Sequence, residues 1–316
     1  MGTPPRAGGG EPSGLVSATL LSGMLSVVLQ QGINGIVVGS LYVLVALGLT
    51  LIYGVLVQIN FAHADIVTLG AFAAYFFMHA FGGSYLASIA VALAVGAAMG
   101  FLVNAAIFAP LRRRGSELLP LIATIGVSVL LQNAMLLWFG PIPYAFESPY
   151  SQHVLRFGGI FVTMQNLFII AVSAFAIALL YAFMRFTFLG KALRAVSQDA
   201  ETAGLMGIDP DKLIMLTFVI ASALAGMGGA MLAPVLVLTP FAGASVILKA
   251  FAIVIIGGFG NFEGTIIAGL LVGLIESYTT QFFNPGLTDI VVFALLLLTL
   301  AVRPTGLIAE KREENV

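Results

Sequence analysis

The sequence predicts an all-α polytopic membrane protein of about eight transmembrane segments, some of them broken or re-entrant. Three observations carry this. Of the 316 residues, 60% are hydrophobic and 9% are charged, against roughly 25% charged in a soluble domain. Apolar runs of about 20 residues, long enough to cross ~30 Å of hydrocarbon as a helix, recur along the chain. The charge is concentrated: residues 185–212 hold eight of the 27 charged residues, 13 basic plus 14 acidic.

The elements follow in order. Segment 1–14 is Pro/Gly-rich and predicted to be disordered. Residues 15–308 then read as a single transmembrane domain. Within it, 15–31 is apolar but interrupted by Ser17, Ser22, Gly23 and Ser26. Only Arg6 precedes it, so it reads as an interfacial helix or the start of a span rather than a cleaved signal. Residues 32–56 form the first clear span, with glycines at 32, 35, 39, 48 and 54 for close helix approach. A polar stretch, VQINFAHADIVTLGA at 57–71, precedes an apolar continuation to Phe81. Span 84–110 carries Ala92, Gly96 and Gly100 at four-residue spacing, and Arg112, Arg113 and Arg114 follow. Short loops rich in Lys/Arg stay cytoplasmic. Span 118–139 contains Gln132 and Asn133, a Pro-rich loop at 140–162 reads as external, and 162–184 returns. The arginine loop and 185–212 therefore share one side.

Inside 185–212, an amphipathic helix is predicted over 191–206. Leu193, Val196, Ala200 and Ala203 share one face; Lys191, Arg194, Gln198 and Glu201 share the other. Gly207 suits the residue that ends a helix, and Asp209-Pro210 suits an N-cap followed by the first helical position. A capped, amphipathic, water-facing helix between spans reads as a docking element. Span 212–237 and an outer loop at 239–246 follow. Segment 247–256 is too short to cross and breaks at 257–264; 265–283 resumes, 284–286 turns, and 287–302 is the last span. Residues 309–316 are a solvated cytoplasmic tail. Placing both 185–212 and the tail in the cytoplasm requires an even number of crossings between them. Segment 247–256 must then pair with another element or enter as a broken helix, with 257–264 lining a path. Asn60-Phe61 and Asn261-Phe262 hint at an internal repeat.

Several function classes fall away. No phosphate loop, HExxH or GxSxG motif is present, so enzyme chemistry has no support. With no cysteine and three histidines, neither thiol chemistry, a metal site nor a cofactor is predicted. A net charge of −1 gives no preference for nucleic acid. The group Gln58, Asn60, His63 and Asp65 is the leading translocation candidate, because ionisable side chains inside a bilayer are costly and mark pathways. His63 and Asp65, two apart, would not share a helix face. Asn34, Asn261 and Glu263 complete the candidate path. On the residues alone, an ion-coupled secondary transporter using Asp65 or Glu276, or a passive channel, stays open.

The runs LQQGINGIVVGSLYVLVALGLTLIYGVL at 29–56, INFAHADIVTLGAF at 59–72, LGKALRAVSQDAETAGLMGID at 189–209 and LKAFAIVIIGGFGNFEGTIIAGLLVGLIES at 248–277 closely resemble permease subunits of bacterial branched-chain amino acid ABC importers. The resemblance implies a half-pore of the bacterial inner membrane with a type II-like fold, for branched-chain or related small amino acids. It implies a second related permease, two cytoplasmic ABC ATPases and a periplasmic binding protein as partners. It also makes 185–212 the coupling loop, with Lys191, Arg194, Asp199, Ala200, Glu201 and Gly207 on the surface that meets the ATPase. Two positions depart from the family pattern: His63-Ala64-Asp65 stands where His-Gly-Glu is frequent, and Gly204, also in that loop, stands where a basic residue is common. Relatives that carry urea, short amides or aromatic acids are the alternatives for substrate.

Overall fold

The computed structural model describes residues 13–112, 118–157 and 159–308. Segment 1–12, Arg113, Arg114 and the tail 309–316, on which the disorder, the rest of the arginine loop and the solvated tail were expected, lie outside the described residues. Among the described residues, eight helices are long and apolar enough to cross a membrane, and a ninth, shorter apolar helix accompanies them.

Helix α1, Ser13–Leu56, is one continuous helix of 44 residues, about 66 Å at 1.5 Å per residue. Of the two readings for 15–31, interfacial helix or start of a span, the structure shows the second: it is the outer part of this helix, because nothing at Gly32 breaks it. Its half from Val37 to Ile52 is buried, whereas Met24, Leu25 and Leu29 are exposed. Helix α2 spans His63–Phe81, α3 spans Tyr85–Val103, a π-helical turn spans Asn104–Phe108 and α4 spans Ala109–Arg112. Pro110 explains the wide turn: it lacks the N–H that a regular turn needs from this position. Helix α5 spans Leu118–Phe139 and α6 spans Met164–Phe186. Between them the loop folds into an antiparallel hairpin, Val154–Phe157 with Ile160–Thr163, which the sequence reading did not foresee.

The loop expected to be one amphipathic helix is two: α7, Phe188–Gln198, and α8, Ala200–Leu205. Asp199 breaks them with extended dihedrals (φ −157°, ψ 106°) and caps the second. The break rotates Ala200 out to solvent, so it leaves the face that buries Leu193, Val196 and Ala203. Helix α9 spans Pro210–Leu232, α10 Ala242–Gly257, α11 Phe262–Phe282 and α12 Thr288–Val302.

Small residues set the packing. Helices α3 and α9 run antiparallel with Gly96 against Ser222 and Gly226, and Gly100 against Phe218. A Cβ at Gly226 would meet the Ala92 carbonyl of α3, and a Cβ at Gly70 of α2 would meet the Gly226 backbone, so α9 is closely approached from both helices at this one residue. Gly35 and Gly39 of α1 meet Gly269, Gly273 and Leu274 of α11 in the same antiparallel way. The four-residue small spacing is thus intramolecular packing around α1 and α9. Helices α5 and α12 leave most of their apolar surface outward, as Leu137, Trp138, Leu297 and Leu298 illustrate.

The contacts define two ends. At the distal end, Gln30 of α1 donates to the Phe161 carbonyl of the hairpin (2.9 Å), Tyr278 of α11 donates to the Val28 carbonyl (3.1 Å), and Tyr144 pairs with Leu238. At the basic end, Arg112 pairs with Asp211, α1 ends beside α7, and the Leu307 amide donates to the Ile256 carbonyl (2.7 Å). Helix α10 is 16 residues rather than ten, still shorter than the eight span-length helices, and follows the irregular stretch 233–241. Helices α9, α10, α11 and α12 then run alternately between the ends, and 257–261 is a turn at the basic end.

Candidate functional site

The loop at the basic end is built by caps. The Thr187 hydroxyl accepts the Gly190 amide (3.0 Å) to start α7. Ala192, Leu193 and Val196 bury against Leu47 and Leu51 of α1 and Ile214 and Phe218 of α9. The Asp199 carboxylate accepts the Glu201 and Thr202 amides (2.9 and 3.0 Å) and the Thr202 hydroxyl (2.6 Å). The Thr202 hydroxyl first, then its amide, hold that carboxyl below the usual range. Gly207 ends α8 with φ +84°, a conformation glycine adopts at no steric cost. Asp209 then caps α9, accepting the Lys212 amide (3.3 Å) and pairing with its Nζ (3.0 Å). The bond to the Lys212 side chain is the main reason its carboxyl lies below the ordinary range.

Of the expected coupling residues, Lys191, Asp199, Ala200, Glu201, Gly204 and Gly207 all face outward. Arg194 does otherwise: although exposed, it folds its guanidinium back to the Met184 carbonyl at the end of α6, where helix carbonyls lack partners. The reading from sequence missed Leu205 and Met206, which stand 84% and 79% exposed at the tip of α8.

The expected path residues do not form one group. Asn34 lies near the distal end of α1, bonded to Gln30 and Gln31. Asn60, His63 and Asp65 are buried around the first turn of α2, and Gln58 is half-buried beside them. They are not a solvated loop. The Asn60 Oδ1 accepts the Ala62 amide (3.1 Å). The His63 Nε2–H donates to the Val45 carbonyl of α1 (3.3 Å), while Asp65 turns the other way and accepts from Gln132 Nε2 of α5 (3.0 Å). His63 and Asp65 therefore bind different helices, as their two-residue offset requires. Gln132, noted in sequence within span 118–139, is the partner that anchors Asp65. Among the described residues, Gln58 Oε1, Asn60 Nδ2, His63 Nδ1 and Asp65 Oδ2 have no hydrogen-bond partner. Four polar atoms left bare inside a membrane bundle are costly there and set this group apart from an ordinary packing core.

Asn261 and Glu263 stand apart from these, in a cavity of about 490 Å³ at the basic end. Its wall joins Thr50 and Gly54 of α1, Tyr181 and Arg185 of α6, Arg194 of α7 and the start of α11. Asn261 caps α11 by accepting the Gly264 amide (2.8 Å), and Tyr181 donates to Glu263 (3.3 Å) and receives Arg185. The polar segment and the turn are neighbours across α1: Tyr53 stacks on Phe259 with centroids 4.2 Å apart, and Phe259 and Gln58 line one small cleft.

A third cluster joins four helices. Lys249 Nζ of α10 lies 2.7 Å from Glu276 Oε1 of α11, 3.4 Å from Asp289 Oδ1 of α12 and 3.3 Å from Tyr42 Oη of α1. Tyr42 also donates to Glu276 Oε1 (3.2 Å). Glu276 was visible from sequence as a carboxylate in an apolar helix. Lys249 was the missed signal, a lone cation in an apolar run.

Residues 31–300 match the family model described as branched-chain amino acid transport system / permease component. The chain belongs to this family. As a branched-chain amino acid transport permease it is a multi-pass protein of the cell membrane and not an enzyme. It is similar to the high-affinity branched-chain amino acid transport system permease protein LivH of Escherichia coli K12, at 34% identity covering 91% of this chain and 97% of that protein. It is similar to BraD of Pseudomonas aeruginosa, at 33% over 91% and 98%. It is also similar to a probable LivH of Methanocaldococcus jannaschii, at 29% over 87% and 90%. The permease protein LivM of Escherichia coli K12 matches more distantly, at 25% over 87% of this chain. No solved structure matches. Within the permease, the capped loop α7–α8 and the 490 Å³ cavity share the basic end, and the buried polar group lies deeper between α1, α2 and α5.

Proposed function

We propose that this permease is one membrane half of an ATP-driven importer for branched-chain or related small amino acids in the bacterial inner membrane. It pairs with a second, related permease, takes substrate from a periplasmic binding protein and is driven by two cytoplasmic ATPases. The basic end faces the cytoplasm, since Arg112, Arg185, Lys191, Arg194 and Lys212 gather there. The observation that carries the reading is the α7–α8 element. One face is sealed onto α1 and α9, while its tip presents Leu205 and Met206 to solvent. Exposed apolar side chains on a rigid, capped support are what a docking surface needs. Because the buried face of α7 touches α1 and α9 directly, a push on α8 reaches the two central helices. Asn261 and Glu263 line the cytoplasmic mouth, and Gln58, Asn60, His63 and Asp65 line the deeper route; Asn34 sits at the entrance end.

The double variant Leu205→Asp/Met206→Asp tests this in the full importer. Neither side chain is packed inside the chain, so the permease folds and inserts as before. Association with the ATPases, read by co-purification, and ATP-driven leucine uptake both fall at least tenfold, about 1.4 kcal/mol or more of interface energy. Retained association and uptake would overturn the docking role.

A further inference from the structure

The Lys249 cluster carries a role that helix packing does not explain. It holds one cation and two carboxylates, a formal balance of −1. Lys249 and Tyr42 both bond Glu276 Oε1, Asp289 reaches the same ammonium from the other carboxylate, and Glu276 Oε2 is buried with no partner among the described residues. A buried ion pair is poor evidence for stability, because apolar residues of similar volume serve as well; a pair with a surplus carboxylate serves less well still. The cluster is also not sealed. Side-chain exposure rises from 13% at Lys249 and 18% at Glu276 to 68% at Asp289. Glu276 stands six residues before the distal end of α11, about 9 Å along the axis. Leu248 and Ile290, adjacent in sequence to Lys249 and Asp289, are exposed apolar side chains.

We propose that Lys249, Glu276 and Asp289 form a subsite for the zwitterionic backbone of an α-amino acid entering from the distal end. This rests on the amino-acid reading above. The incoming α-carboxylate takes the place of Glu276 at Lys249, and the α-ammonium goes to Glu276 Oε2 and Asp289. Each charge exchanges one opposite partner for another, so no uncompensated charge is buried. A ligand with only one of the two groups leaves either Lys249 or Glu276 without a counter-charge, which is costly away from water. Two carboxylates are available to the ammonium and one lysine to the carboxylate, and the neighbouring apolar positions suit an aliphatic side chain. The subsite thus selects for the backbone, leaving side-chain selection to other residues.

The test uses the full-length chain with its membrane partner in nanodiscs, and saturation-transfer NMR with leucine, 4-methylpentanoate (leucine without its ammonium) and 3-methylbutylamine (leucine without its carboxylate). The unaltered protein binds leucine about 10- to 100-fold better than either analogue, the worth of a charged hydrogen bond. Glu276→Gln/Asp289→Asn loses the preference over 4-methylpentanoate, and Lys249→Met loses the preference over 3-methylbutylamine. Preferences unchanged in both variants overturn the subsite. So does a charge swap, Lys249→Glu/Glu276→Lys, that restores leucine binding and thermal stability together, since an interhelical strut survives the exchange and an oriented ligand site does not. If the unaltered protein shows no leucine binding, the subsite is wrong. Leucine uptake by the complete importer then decides the amino-acid reading separately.

Discussion

Val57 shows how a single residue marks the boundary between scaffold and route. It closes α1 with φ +55°, the only non-glycine with positive φ among the described residues. A β-branched side chain there is strained. Its amide still reaches the Tyr53 carbonyl (2.7 Å), so the helix end is held rather than frayed. Shortly after come Gln58 and the buried Asn60, whose polar atoms lack partners among the described residues and which we assign to the inner route. Strain stored beside a functional segment is tolerated when its surroundings fix it. Val57→Asn adopts the same conformation at lower cost and loses little packing, because Val57 is 50% exposed. Thermal unfolding of the purified permease is expected to show stabilisation of about 1 kcal/mol; an unchanged or lowered midpoint would mean that the left-handed turn carries no strain.

At the scale of elements, the α7–α8 pair is joined at Asp199, the residue on which the proposed docking element turns. That residue ends α7, starts α8 and is held by three hydrogen bonds from its own successor residues. Its carboxyl lies below the ordinary value in the folded loop, so the ionised form favours folding. The contribution is fully present above the unfolded-state value near ~3.9 and is lost as pH falls through the lower folded-state value. Hydrogen exchange at the Glu201 and Thr202 amides, corrected for intrinsic rates, is expected to stay slow at neutral pH and to accelerate only below about pH 4. Acceleration already near neutrality would sink the capping account. The cap Asp209 and the stop at Gly207 lie on side-chain and dihedral preferences that are local in sequence, so the end of this element was legible before the structure. The break at Asp199 was not. Periodicity continues smoothly from Val196 to Ala203, and only the competing side-chain bonds to Thr202 decide against a single helix. Helix α10 was misjudged for a related reason: Ala242–Val246 looked like a loop, yet tertiary contact fixes it, with Thr68 accepting the Gly243 amide (2.8 Å). The small-residue faces were legible because period four survives any context. Which side chains share a site was not, since His63 and Asp65 separate by facing α1 and α5, and Lys249 meets Glu276 across 27 residues.

For the molecule as a whole, the disposition of its membrane-buried charges bears on the energy source. An ion-coupled carrier needs a carboxylate that alternates between a bound cation and an empty state. Glu276 is the worse candidate, because Lys249 already supplies a resident cation at 2.7 Å. Asp65 has a neutral hydrogen-bond partner in Gln132, yet it is sealed at 1% exposure and lies away from the 490 Å³ cavity. What does connect the cavity to the outside is α7, whose Leu193 and Arg194 form part of its wall while α8 extends to the exposed tip. Movement of that element changes the cavity wall directly, so work delivered at the loop is work on the mouth of the route. In proteoliposomes holding the complete importer and its binding protein, leucine uptake is expected to require ATP on the side of the basic loop. It is expected to persist at unchanged rate when ionophores collapse proton and sodium gradients. Gradient-driven uptake without ATP would place the coupling carboxylate back at Asp65, and flux without either energy source would make the route a passive one.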